Sequence, residues 1–264
     1  MESKFSIPTE EIELPSKGLL YSQDSPLASG KLEMKYMTAK EEDILTNRNL
    51  INNGTVIDKL LKSLIVNKEV NYNDLLIGDK NAVMIAARIL SYGKDYDITY
   101  NGEKITVDLT TLQNIEIDDK KYSQGSNSFS FDLPSTGNAV TYKLLTHGDE
   151  KLLEREIEGL KKITKNSSPE VSTRMKYIIT SVNGMTEKKD IRDFVDNYLL
   201  AKDARALRAD YAKNQPNVKM TFLYTDEDGM QEDVDLPIGL SFFWPDAGWS
   251  SKYILTSSWN SFPR

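Results

Sequence analysis

Cysteine is missing altogether, and histidine occurs once, as His147. The first absence excludes disulfides, thiolate zinc sites, iron–sulfur clusters and a cysteine nucleophile, and it suits a chain folded in a reducing compartment. The second leaves one imidazole for any general-base chemistry. No serine stands in the Gly-x-Ser-x-Gly context that would pair with it. A phosphate-cradling loop ending in Gly-Lys-Ser/Thr and a Gly-x-Gly-x-x-Gly run are also absent, so no residue pattern points to a nucleotide or another cofactor. No block of five or more basic residues interrupts a net charge of −7, which argues against nucleic acid as a partner. No run approaches the roughly 20 apolar residues that cross a bilayer. The first 18 residues alternate polar and apolar where a signal peptide needs a continuous apolar stretch. The expectation is a chain with no membrane span and no export signal.

What is present is ordinary globular material. Hydrophobic residues make up 39% and charged residues 28% of 264 positions, enough to bury a real core without staples. Pro8, Pro15 and Pro26 keep the first segment extended around a turn, and Lys31 to Tyr36 alternates as a strand. Thr38 followed by Glu41 reads as a capping box that opens a helix. Ile57, Leu60, Leu61 and Leu64 predict a second helix face. Val83, Ala86, Ala87 and Leu90 predict another, after Gly78-Asp79 read as breaker and cap. Tyr96 to Tyr100, the turn dipeptide Asn101-Gly102 and Ile105 to Val107 predict a hairpin.

The same order returns. Phe129 to Leu133 and Ala139 to Leu145 read as strands around a turn, and Thr146 precedes Asp149-Glu150 as Thr38 precedes Glu41-Glu42. Leu153, Ile157 and Leu160 mark one helix. Ser168-Pro169 is an N-cap with proline at the first helical position, opening a helix with Val171, Met175 and Ile178 on one side, and Ile191, Phe194, Val195 and Tyr198 form a further stripe. Asp203 reads as the cap of a short helix that Pro216 stops, and a last hairpin turns at Asp228-Gly229. The pentapeptides Leu14 to Gly18 and Leu133 to Gly137 begin each series. The expected fold class is therefore α+β in two related halves, each with strands around a turn, a helical block and a β-hairpin, as an internal duplication would give. The expected division is an N-terminal half at 1–110, a linker at 111–127 rich in Asn, Asp, Lys, Ser and Gly, a C-terminal half at 128–240 and an aromatic-rich tail at 241–264.

No catalytic, metal or cofactor-binding residue follows from these patterns. His147 reads as a positional or surface residue beside a helix start. Glu41-Glu42 and Asp149-Glu150 are explained by first-turn capping. Asp226 to Gly229 superficially resembles a calcium loop but has Tyr224 where the first ligand belongs. Phe242, Phe243, Trp244, Trp249, Tyr253 and Trp259 concentrate aromatics where a chain end would ordinarily fray. They read either as docked on the chain's own core or as anchors for a partner.

Leu14 to Gly18, Met37 to Leu45, Gly78 to Ala82, Arg88 to Gly93 and the terminal Phe-Phe-Trp-Pro together resemble the T-even-type baseplate hub assembly proteins of contractile-tailed bacteriophages. The resemblance implies a non-enzymatic late protein of the viral baseplate, an incorporated subunit or an assembly chaperone. Its partners would be other baseplate hub or tail proteins, in the virion tail or in the host cytoplasm during assembly. The resemblance brings no catalytic residues. The alternative is a tail-associated peptidoglycan hydrolase using paired carboxylates.

Overall fold

A computed structural model describes residues 6–163, 169–226 and 229–243. The fold is mixed α+β, with small antiparallel sheets set among helices. In the first half, β1 (Thr9–Glu13) pairs with β2 (Lys31–Lys35) in the register Ile12 to Leu32. The other edge of β2 takes up the chain after the helices, through a Met34–Ile65 bridge and a bond from the Val66 N–H to the Glu33 carbonyl. Between them lie α1 (Ala39–Leu45), α2 (Arg48–Asn52) and α3 (Val56–Leu64). Leu60, Leu61 and Leu64 of α3 are fully buried, each contributing roughly 1.5–3 kcal/mol. Helix α4 (Ile77–Tyr92) then leads to the hairpin β3 (Asp95–Tyr100) and β4 (Glu103–Asp108). Asn101 and Gly102 turn it at φ of 50° and 85°, the positive values that the dipeptide tolerates.

The second half runs β5 (Phe129–Asp132), β6 (Ala139–Tyr142), α5 (His147–Ile163), α6 (Glu170–Ile178), β7 (Ile179–Val182), α7 (Lys188–Asn197), α8 (Ala201–Asn214), β8 (Thr221–Thr225) and β9 (Gln231–Asp235). Strand β7 lies on the free side of β6, with Val140 opposite Val182, in the position that Ile65-Val66 takes on β2. The sequence reading missed β7, because four residues directly after a helix carry no turn signal of their own.

The halves share a series of matched contacts. Lys35 pairs with Glu41 at 2.7 Å across Thr38, and Lys143 pairs with Asp149 at 2.7 Å across Thr146. Each acid also accepts its threonine's N–H, at 3.1 Å in both cases. The Leu109 N–H closes the first hairpin on the Lys94 carbonyl, and the Leu236 N–H closes the second on the Met220 carbonyl. Residues 111–127 are hydrogen-bonded to segments on either side of them. The Ile115 N–H bonds the Asn217 carbonyl, the Lys219 N–H bonds the Gln113 carbonyl, and the Gly125 N–H reaches back to Leu19. One continuous hydrophobic cluster joins both halves.

Several local expectations need correction. Gly78-Asp79 lies inside the first turn of α4, and Asp203 lies inside the first turn of α8, so neither acid is a cap. Val171 is 49% and Tyr198 62% exposed, while Met175, Ile178, Ile191, Phe194 and Val195 of the same stripes are buried. Helical period shows which residues share a face but not whether anything covers it. Pro169 sits at the N-cap of α6 rather than at its first turn.

Candidate functional site

Two aspartates tie each half's helix to its opening turn. Asp79 accepts the Ser16 N–H at 2.9 Å and the Ser16 hydroxyl at 2.7 Å, and Tyr21 donates to it at 2.5 Å. The Tyr21 oxygen in turn accepts the Leu76 N–H at 2.9 Å. Asp203 accepts the Ser135 N–H at 2.7 Å, the Thr136 N–H at 3.2 Å and the Thr136 hydroxyl at 2.9 Å. Burial raises the Asp79 carboxyl above the usual range despite its donors from Ser16 and Tyr21. At Asp203 burial also pushes up, but the Ser135 and Thr136 donors outweigh it and the carboxyl is lowered. The signal for both was present as Asn-x-Leu-Leu-x-x-Asp, at Asn73 to Asp79 and Asn197 to Asp203.

The first copy of that motif forms the seam between the halves. Leu76 bridges Thr146, the Ile77 N–H bonds the Leu145 carbonyl at 3.3 Å, and the His147 N–H bonds the Leu75 carbonyl at 2.8 Å. Close approach requires glycine on both sides. A Cβ on Gly78 would lie 1.7 Å from the Pro216 carbonyl oxygen, and one on Gly148 would lie 3.1 Å from that of Asn73.

His147 is buried at this seam, 4% exposed, so its position is internal rather than superficial. Its ring lies edge-on to Tyr72 at 4.8 Å. Asp58 Oδ2 sits 2.9 Å from Nε2, off the line of a good ring hydrogen bond, and Lys80 Nζ sits 3.2 Å from Nδ1. Lys151 and Lys80 also face Asp58, at 3.1 Å and 3.8 Å. Burial would raise Asp58, but the His147 contact and the two ammonium charges outweigh it and hold the carboxyl down to about 2. Burial pulls Lys80 below the ordinary lysine value, and it raises the neighbouring Glu154 together with the charge of Glu150. The cluster is an ion pair network across an internal junction. A groove of about 530 Å³ lies elsewhere, between the Leu14–Lys17 turn and residues 114–117.

The paired carboxylates are engaged locally. Glu41 caps Thr38, Glu42 accepts the Tyr92 hydroxyl, Asp149 caps Thr146, and Glu150 binds Arg174 through both nitrogens at 2.6 and 2.9 Å. Among the described residues no group of three or more His, Asp or Glu is placed to hold a metal ion, and no helix is long and apolar enough to cross a membrane.

The two hairpins meet through Tyr100, which lies against Phe222 and Tyr224 and donates to Glu232, while Tyr224 donates to Glu103. Beyond them, Phe242 and Phe243 are fully buried, with Phe242 edge-on to Tyr96 at 4.9 Å. These two aromatics of the terminal cluster therefore sit in the chain's own core. Trp244, Trp249, Tyr253 and Trp259 lie outside the described residues.

A family model described as T4 bacteriophage base plate protein matches residues 8–244, a span that takes in both halves and the buried Phe242-Phe243 pair. No curated protein and no solved structure matches the chain.

Proposed function

Because the chain belongs to the T4 bacteriophage base plate protein family, we propose that it is a non-catalytic structural or assembly protein of the baseplate hub, working through contacts with other tail proteins. The observation that supports this most is the use made of its reactive groups. His147 and the acids at both helix starts, which a hydrolase would need free in a cleft, are engaged in capping, in ion pairs and in the seam. In this reading Trp244, Trp249, Tyr253 and Trp259 contribute to partner contacts, since tryptophan and tyrosine dominate interface hot spots. Phe242 and Phe243 fix the root from which that segment leaves.

The test is capture of hub and tail proteins by a tagged copy during infection, alongside mass spectrometry of purified virions and tail intermediates. Absence from both preparations, or cell-wall clearing by the purified chain on a zymogram, would overturn the proposal.

A further inference from the structure

Strand β1 is paired on one side only. The bonds between Tyr36 and Pro8 and between Leu14 and Gly30 flank its ladder with β2, so Glu10 and Ile12 exchange bonds with β2. The N–H and carbonyl groups of Thr9, Glu11 and Glu13 point the other way, and among the described residues none of them has a backbone partner. Beside the end of this edge lies the groove of about 530 Å³, with Glu13, Leu14 and Pro15 on one wall and residues 114–117 on the other. That far wall is held in place by its bonds to Asn217 and Lys219. It offers Ile115, 44% exposed, to whatever enters.

We propose that this edge and groove take an extended segment of another tail protein, with lysine or arginine alternating with apolar residues, as a third strand on β1. The two faces of β1 dictate that alternation. Ile12 and Leu14, just beyond the strand, share one face, with Leu14 buried and Ile12 packed on the core. Thr9, Glu11 and Glu13 share the other. There Glu11 stands directly opposite Glu33, and like charges so placed cost stability. Of the two lysines on that face of β2, Lys31 holds Glu11 at 2.6 Å, but Lys35 is drawn off to Glu41 at 2.7 Å. Lys17, in the groove wall, is taken by Asp119 at 3.0 Å. Glu13, Glu33 and Glu116 are left without an ion pair among the described residues. A cationic strand laid on this edge would answer both the unpaired backbone and the unpaired acids.

A second copy of this chain is a poor occupant. Its own β1 would set Glu11 and Glu13 against their like, and charge of one sign on an edge refuses strands of that sign. A basic strand is accepted by the same charges. The matching outward edge of β5 presents Ser130 and Asp132, one carboxylate in place of two, and so serves as a reference within the same chain. The site stands on the groove and the strand register, and only the identity of its occupant as a tail protein rests on the baseplate role. Failure of the site in a peptide titration therefore leaves that role untouched.

Amide hydrogen exchange on the full chain tests it, with an acetylated and amidated hexapeptide of alternating lysine and valine as the probe. Expected is slowing of the Glu11 and Glu13 amides by about fivefold or more at saturation. A peptide of alternating glutamate and valine, and one with the three lysines in a single block, should slow neither. Glu11→Lys combined with Glu13→Lys, two exposed positions, abolishes the effect of the first peptide, whereas Asp132→Lys on β5 leaves it intact. During infection, a photo-crosslinking residue in place of Ile115 should capture a tail-protein segment in which Lys or Arg alternates with apolar residues. Equal slowing by either comparison peptide, or none by the alternating one, overturns the proposal. So does capture of a segment without that alternation, or of no tail protein. Slow exchange of Glu11 and Glu13 in the free chain that is lost on cutting after Phe243 also overturns it, because the chain's own C-terminal segment then fills the edge. A dimer, seen by sedimentation, that the paired substitution dissolves overturns it in favour of a second copy.

Discussion

Replacing Asp58 with asparagine removes the carboxylate that has His147, Lys80 and Lys151 within 3.8 Å of it at the seam. The carboxyl titrates at about 2 in the folded chain against an ordinary value of 3.8. A difference of nearly two pH units corresponds to roughly 2 kcal/mol, at about 1.4 kcal/mol per unit. The Asp58 side chain is only 20% exposed, so solvent screening takes little from that figure. The sign follows from the direction of the shift. A carboxyl depressed by folding contributes stability that is present above its unfolded value and is lost as pH falls through the folded one. Asp58→Asn should therefore lower the unfolding free energy by roughly 2 kcal/mol near pH 6, and the gap from the wild type should close between about pH 4 and pH 2. Urea titrations at a series of pH values measure it, with unchanged m-values as the sign that only stability has moved. Glu11→Gln, which breaks the exposed pair with Lys31, serves as the control and should cost less than about 1 kcal/mol. A deficit in D58N that stays the same from pH 6 to pH 2 would refute the charge argument and leave shape alone as what holds the seam.

Two further outcomes follow from the same contacts. Gly78→Ala puts a Cβ 1.7 Å from the Pro216 carbonyl oxygen and should cost roughly 3 kcal/mol or more, whereas Gly148→Ala, with 3.1 Å to Asn73, should cost about 1 kcal/mol; urea unfolding of the two separates them. Asp79→Ala strands the Ser16 N–H, the Ser16 hydroxyl and the Tyr21 hydroxyl in the core and should lower stability by roughly 3 kcal/mol, more than Asp203→Ala, whose partners on the Ser135–Thr136 turn are only part-buried; thermal denaturation of both variants reads the order.

Much of this fold was legible because it is local. The capping threonines, the Asn101-Gly102 hairpin and the leucine face of α3 are each specified within a few residues, and each stands where the sequence placed it. What was not legible depends on partners far along the chain. Asp79 looks like a helix-start acid, and its three donors lie 58 to 63 residues away. His147 looks superficial beside a polar helix start, but Tyr72 and Asp58 of the other half enclose it. Phe242 and Phe243 carried two readings, and only the position of Tyr96 shows that they pack inward. A cut after Asp235 would take both buried rings with it, so a truncation that keeps them is made after Phe243.

The seam also constrains what the two halves can become. Were the two halves copies of one unit, a junction in which Leu75–Ile77 of one meets Leu145–His147 of the other would be head-to-tail and would leave two unlike ends. Here those ends are Met37–Lys40 and Tyr198–Ala201. Were the contact two-fold, both would be buried against each other, yet Ala39, Lys40 and Leu200 are all exposed. Open ends of this kind build fibres unless something blocks them. The chain carries a lysine at each end in place of the glycine that makes the internal junction possible: Lys40 for Gly148 and Lys202 for Gly78. Two backbones that touch through glycine cannot touch through lysine, so the internal junction does not propagate from chain to chain.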